Sequence, residues 1–94
     1  MARVTARVEL HGATERDYQN LHTAMQQEGY ARSVRADDGR TYHLPPGEYV
    51  HDNVASLEDA RARAARAAAQ TGRSSSLFVA GWDGSWAGQG LPVA

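Results

Sequence analysis

The sequence predicts an α+β fold in a single domain, because two helical patterns alternate with strand patterns along 94 residues. Residues 14–28 and 56–70 carry apolar side chains at helical spacing behind a capping residue. Runs with strand character lie before, between and after them. The predicted order is therefore strand, helix, strand, strand, helix, strand, and a chain of this length has room for one modest core.

Residues 3–11 form the clearest strand pattern, because apolar and polar residues alternate along them. One face of this strand is apolar, and the other carries Arg3, Thr5, Arg7, Glu9 and His11. Gly12 ends the run. We predict a strand that is buried on one face only.

Both helices begin at a recognisable cap. Thr14 is followed three residues later by Asp17, and Ser56 by Asp59, in a variant of the capping box. Gly29 suits the left-handed position after the first helix. The second helix has a narrow face of alanines, which allows close approach to a sheet.

The middle of the chain predicts two strands joined by a turn. Residues 30–35 form the first, Asp37-Asp38-Gly39 supplies the turn, and the second begins at Thr41. Pro45-Pro46-Gly47 interrupts this strand and marks an edge, a bulge or an excursion, because proline donates no ladder hydrogen bond.

The C-terminal part predicts a covered strand over residues 77–80 and a possible hairpin strand after it. Asp83-Gly84 supplies the second turn, which would pair Trp82 with Ser85. Trp82 would then share the sheet face of Phe78. We expect residues 88–94 to be a mobile tail or an edge segment that adds to a partner.

With right-handed crossovers, this order gives a ferredoxin-like βαββαβ sandwich over residues 1–94, with a four-stranded antiparallel sheet and both helices on one face. The other face stays open. Beside the polar residues of the first strand we expect Thr41, His43, Phe78 and Trp82 there.

Composition limits the function. There is no cysteine, so thiolate metal sites, disulfides and cysteine nucleophiles are excluded. The net charge of −1 argues against a generally basic nucleic-acid binder, although a local patch is still allowed. No apolar run predicts a signal peptide or a membrane span, and we expect a cytoplasmic protein without membrane contact. No motif predicts a cofactor.

The open face allows two interpretations. It could bind RNA, with arginines on phosphates and aromatic rings under bases, or it could bury the same residues in a homodimer or against another protein partner. The residues common to both interpretations are Arg3, Arg7, Arg35, Phe78 and Trp82.

Acid–base cleavage of RNA requires a histidine or carboxylate near the 2′-hydroxyl and a cation for the phosphate. The candidates for this chemistry are Glu9, His11 and His43. The spacing of the four histidines matches no metal-binding motif, so we predict no metal site.

Several segments resemble the GhoS family, small ferredoxin-like antitoxins described as endoribonucleases that cut a toxin's messenger RNA. The matching segments are Val8-Glu9-Leu10-His11, Asp17-Tyr18-Gln19-Asn20-Leu21-His22, Asp37-Asp38-Gly39, Tyr42-His43-Leu44-Pro45-Pro46 and Glu48-Tyr49. The resemblance implies a small regulatory protein that acts on RNA by binding or by weak endonucleolytic cleavage. It carries over no catalytic residue. The alternative is a non-enzymatic interaction module or inhibitor from a mobile element or prophage, working as a homodimer.

Overall fold

The structure is a computed structural model that describes residues 2–82 and 87–94. Its helices and strands follow in the order β1 (Ala2–Leu10), α1 (Glu15–Gln27), β2 (Ser33–Arg35), β3 (Thr41–His43), β4 (Glu48–Val54), α2 (Leu57–Ala69) and β5 (Ser75–Gly81). The predicted α+β class is therefore confirmed. The predicted turn at Asp83-Gly84 and its pairings lie outside the described residues.

The first helix begins and ends where the sequence predicts. The Thr14 hydroxyl accepts from the Asp17 amide at 3.2 Å, and the Asp17 carboxylate accepts from the Thr14 amide at 2.9 Å. Gly29 follows the helix with a φ of 92°, a backbone conformation that residues with a side chain rarely adopt. The helix buries Leu21, Ala24 and Met25.

The second helix begins after Ser56, whose hydroxyl accepts from the Asp59 amide at 3.0 Å. The face that it turns to the core consists of the buried residues Ala60, Ala64, Ala67 and Ala68. Because these side chains are small, the helix backbone comes within reach of other elements: the Tyr30 hydroxyl donates to the Ala60 carbonyl at 2.8 Å. In the described residues, no helix is long and apolar enough to cross a membrane.

The main sheet has three antiparallel strands in the order β4-β1-β5. The central strand β1 turns one apolar face toward the helices, and its buried residues there are Val4, Ala6, Val8 and Leu10. Tyr49 of β4, paired with Ala6, adds the largest fully buried side chain. The core thus lies between one face of this sheet and the two helices. We call the opposite sheet face the open face.

The prediction of one continuous four-stranded sheet is wrong. Strands β2 and β3 form a separate two-stranded sheet, joined to the main sheet by one bridge between Ala31 and Val50. Pro45-Pro46-Gly47 is the physical reason, because it ends the pairing of β3 and the chain enters the main sheet only after it, as β4. Residues 48–54, and not Thr41 or His43, therefore lie beside β1.

Gly47 lies where the chain returns to the main sheet. Its carbonyl accepts from the Val8 amide at 2.8 Å, and its φ is 83°. A Cβ atom here would stand 2.9 Å from the Val8 carbonyl oxygen. The close approach of this loop to β1 thus requires a glycine.

The end of the chain pairs with β3. The His43 amide donates to the Pro92 carbonyl and the Ala94 amide to the Thr41 carbonyl, each at 2.8 Å. Val93 forms a bridge with Tyr42. Residues 92–94 thus pair with the edge of β3, which is a strand of the same chain.

Gly47→Ala is expected to destabilise the protein more than Gly12→Ala. Both positions have a positive φ, and a left-handed alanine costs about 1–2 kcal/mol. Gly12 faces open space, whereas Gly47 adds a backbone clash. Urea denaturation of both variants measures the difference in the free energy of unfolding. Equal losses would show that the loop accommodates a side chain.

Candidate nucleic-acid interface

The open face is built on the polar side of β1. Residues that pair directly across antiparallel strands point to the same side of a sheet. The register pairs Arg7 with Phe78 of β5 and with Glu48 of β4, and it pairs Thr5 with Ala80 and Val50. The predicted grouping of Arg3 and Arg7 with Phe78 is therefore present.

Phe78 is the exposed aromatic residue of this face. Its exposed fraction is 70%, the highest among the large hydrophobic residues of the described chain. The Arg7 side chain opposite it is 69% exposed, and its Nη1 lies 3.5 Å from Oε1 of Glu48. An aromatic ring and a loosely paired guanidinium thus lie side by side in solvent.

Trp82 also belongs to the open face, but it is held more firmly. Its amide donates to the Arg3 carbonyl at 3.0 Å, and its indole N–H donates to the Thr5 hydroxyl. The Arg3 guanidinium carbon lies 5.2 Å from the ring centroid, within the range of a cation–π contact. Arg3 also pairs with Asp52 at 2.7 Å.

A cavity of about 660 Å³ occupies one end of the open face, a size typical of small-ligand pockets. Thr5, Glu48, Ala80 and Trp82 line it from the sheet. Its other walls come from the β2–β3 hairpin and its exit, and from the C-terminal segment: Val34, Leu44, Pro45, Gln89 and Leu91. The sequence did not predict this cavity. No local pattern indicates where the β2–β3 hairpin lies relative to the main sheet.

His11 lies just beyond the end of β1. Its Nδ1 is 3.2 Å from the Ser74 hydroxyl, and its Nε2 is 2.9 Å from the Ser76 hydroxyl. Glu9, the next candidate, pairs with Ser76 in the same ladder. Both candidates therefore lie near the same end of the open face, and both ring nitrogens of His11 already have polar neighbours.

His43 and Arg35 lie elsewhere. His43 is exposed on β3 and pairs with Ser33, while Arg35 is exposed on β2 and pairs with Thr41. The expected approach of His11 and His43 on neighbouring strands is wrong, because β4 separates β1 from the hairpin. Among residues 2–82 and 87–94, no group of three or more potential ligands converges as a metal site.

The charges of the open face are nearly balanced. Arg3 pairs with Asp52, Arg7 pairs with Glu48, and Glu9 adds a further carboxylate. A phosphate that binds here must displace carboxylates from the arginines. The longer Arg7–Glu48 pair, at 3.5 Å, is the easier of the two to exchange.

A polar contact between half-buried His22 and buried Tyr49, on the helix side, was not expected from the sequence. Nδ1 of His22 lies 2.5 Å from the Tyr49 hydroxyl. Burial, with the nearby charge of Arg32, lowers the pKa of His22, and burial raises the pKa of Tyr49 to about 12. The only sequence signal was the position of His22 beside the buried stripe of α1.

Comparison of the chain with protein-family models, with curated proteins and with solved structures finds no match. The resemblance to the GhoS family therefore rests on the residues of this chain, and function has to be argued from the geometry of the open face.

His22→Gln is expected to reduce the pH dependence of stability between about pH 7.5 and 5.5. With its pKa below the ordinary 6.5 in the folded state, His22 binds a proton more readily in the unfolded chain. The free energy of unfolding of the parent protein thus falls as pH decreases through this window, and that of the variant falls less. Urea denaturation at several pH values measures both slopes.

His43→Gln is the matched control, because His43 is exposed on β3 and is not a member of the core cluster. It should keep the slope of the parent protein. An unchanged slope in His22→Gln would assign the dependence to other groups.

Proposed function

We propose that this protein is a small RNA-directed regulatory protein, similar to GhoS-type antitoxins, that binds single-stranded RNA on the open face. The observation that carries the proposal is the exposed Phe78 ring beside the Arg7 guanidinium, on a sheet face that no helix covers. Proteins that bind single strands combine a stacking ring with a cation for the backbone in this way.

The two side chains have separate roles in this proposal. A base stacks on Phe78, and Arg7 exchanges Glu48 for the adjoining phosphate. The cavity beside Trp82 takes a neighbouring base, with the Thr5 hydroxyl and the Gln89 amide as hydrogen-bonding groups on its lining. The near-neutral charge of the face implies modest affinity and a shallow salt dependence, because few phosphates are neutralised.

Binding is better supported than cleavage. A general base needs a free ring nitrogen, and serine hydroxyls lie near both nitrogens of His11. Electrophoresis of labelled RNA after incubation with the protein separates the two activities. Intact RNA supports binding alone, whereas cleavage that is lost in His11→Ala would assign a catalytic role to His11.

We also propose that the fold is a reduced ferredoxin-like sandwich. The bridge from Ala31 to Val50 puts the second predicted strand beside β4, and β4 lies beside β1 as the third ferredoxin-like strand would. In this interpretation the second ferredoxin-like strand is reduced to the single bridge at Ala31, and the β2–β3 hairpin is an insertion.

A second candidate is a non-enzymatic interaction module that works as a homodimer, in a mobile element or prophage. The observation in its favour is β5, which among the described residues has a strand neighbour on one side only and carries Phe78 at its centre. The molar mass of the purified protein in solution tests this candidate.

Phe78→Ala should weaken RNA binding by about 5- to 150-fold, because stacking on an aromatic ring contributes about 1–3 kcal/mol per base. Fluorescence anisotropy with a labelled single-stranded RNA at low salt measures the dissociation constant. Val93→Ala is the matched control, because Val93 is also exposed and apolar but lies on the C-terminal segment. Equal affinities of the two variants would contradict the assignment of Phe78.

Arg7→Ala should reduce the salt dependence of RNA binding. Each phosphate contact to a single strand contributes about −0.7 to the slope of log K against log salt concentration. The variant should therefore lose about 0.7 of the slope. Arg61→Ala is the matched control, since Arg61 is an exposed arginine paired with Glu58 on α2 and lies outside the open face. A parental slope in Arg7→Ala would contradict the phosphate contact.

A further inference from the structure

In the part of the chain that the structure describes, strand β5 has no strand neighbour on its outer edge in the main sheet. It pairs with β1 along its whole length, from Ser75 to Gly81, without a bulge. The Trp82 amide donates to the Arg3 carbonyl of β1, and the Ser74 carbonyl accepts from the His11 amide just after β1. The even-numbered residues of β5 therefore point their backbone groups toward β1. Because backbone groups alternate along a strand, those of Ser75, Leu77, Val79 and Gly81 point outward.

This edge carries none of the features that usually prevent pairing. Its seven residues include no charge and no proline. The other outer strand of the main sheet, β4, is bridged to Ala31 of its own chain. Among the described residues, the outer edge of β5 has no strand partner of this kind.

We propose that β5 pairs antiparallel with β5 of a second copy, about a two-fold axis at Phe78. This inference rests on the homodimeric candidate function and specifies its interface. Phe78 is the midpoint of the strand, so this register pairs all seven residues and forms about eight backbone hydrogen bonds. The sheet then continues through six strands, and the two Phe78 rings lie opposite each other on its open face.

The helix side of the edge is also self-complementary. A shallow groove between α2 and β5 is lined by Leu57, Glu58, Arg61 and residues 77–79. Leu57 is 53% exposed, and Glu58 and Arg61 carry opposite charges one turn apart. The two-fold axis sets the α2 helices antiparallel on the same side of the extended sheet. The net charge of −1 opposes association only weakly.

Disulfide trapping tests the register directly, because the chain has no cysteine of its own. The register pairs position 76 with position 80 of the second copy, in a non-hydrogen-bonded pair with Cα atoms about 4.5 Å apart. A mixture of Ser76→Cys and Ala80→Cys proteins should form a cross-linked heterodimer under mild oxidation. Either variant alone should stay uncross-linked, and Phe78 is intact in both.

Light scattering of the parent protein provides the second measurement and separates the two ways of failing. A dimer with the mixed cross-link supports the inference. A dimer without that cross-link, or with equally fast cross-linking of Ser76→Cys alone, overturns the β5 register but not the homodimer. A monomer overturns both the register and the candidate function on which it rests.

Phe78→Lys checks the interface without relying on cross-linking. It should convert the dimer to a monomer with an unchanged circular dichroism spectrum, because two ammonium groups would face each other at a position exposed in the single chain. Val93→Lys makes the same change at another exposed apolar residue and should remain dimeric. A dimeric Phe78→Lys protein would contradict the proposed axis.

Discussion

The pairing of β1 with a neighbour on each side is the constraint on which the structure depends. Because β1 alternates strictly, its two registers decide at once which residues of β4 and β5 join the core and which join the open face. Tyr49 enters the core because it pairs with Ala6, and Phe78 stays in solvent because it pairs with Arg7. A slip of one residue in either ladder would exchange these environments.

The local features were predictable from the sequence. Thr14, Ser56 and Gly29 mark the helix ends through short-range hydrogen bonds and backbone preferences, which depend on a few neighbouring residues. The alternation of β1 predicted its buried and exposed faces in the same way. For the candidate site, this was sufficient to group Arg3 and Arg7 with Phe78 and Trp82.

The long-range features were not predictable from such patterns. Pro45-Pro46-Gly47 indicates a break, but it does not say on which side of the break the chain pairs with β1. The separation of His43 from His11 and the cavity above Thr5 both follow from that choice. The contacts of Trp82 with Thr5 and Arg3 likewise join opposite ends of the chain.

The β1–β5 ladder has a consequence for how the chain folds. It joins Thr5 to Ala80, so most of the chain separates the central strand from one of its neighbours in sequence. Ladders of such high contact order form slowly, because loop closure costs entropy before the pairing repays it. During that interval β1 exposes an alternating apolar stripe and an unpaired edge, which makes the partly folded chain, more than the native one, prone to aggregate.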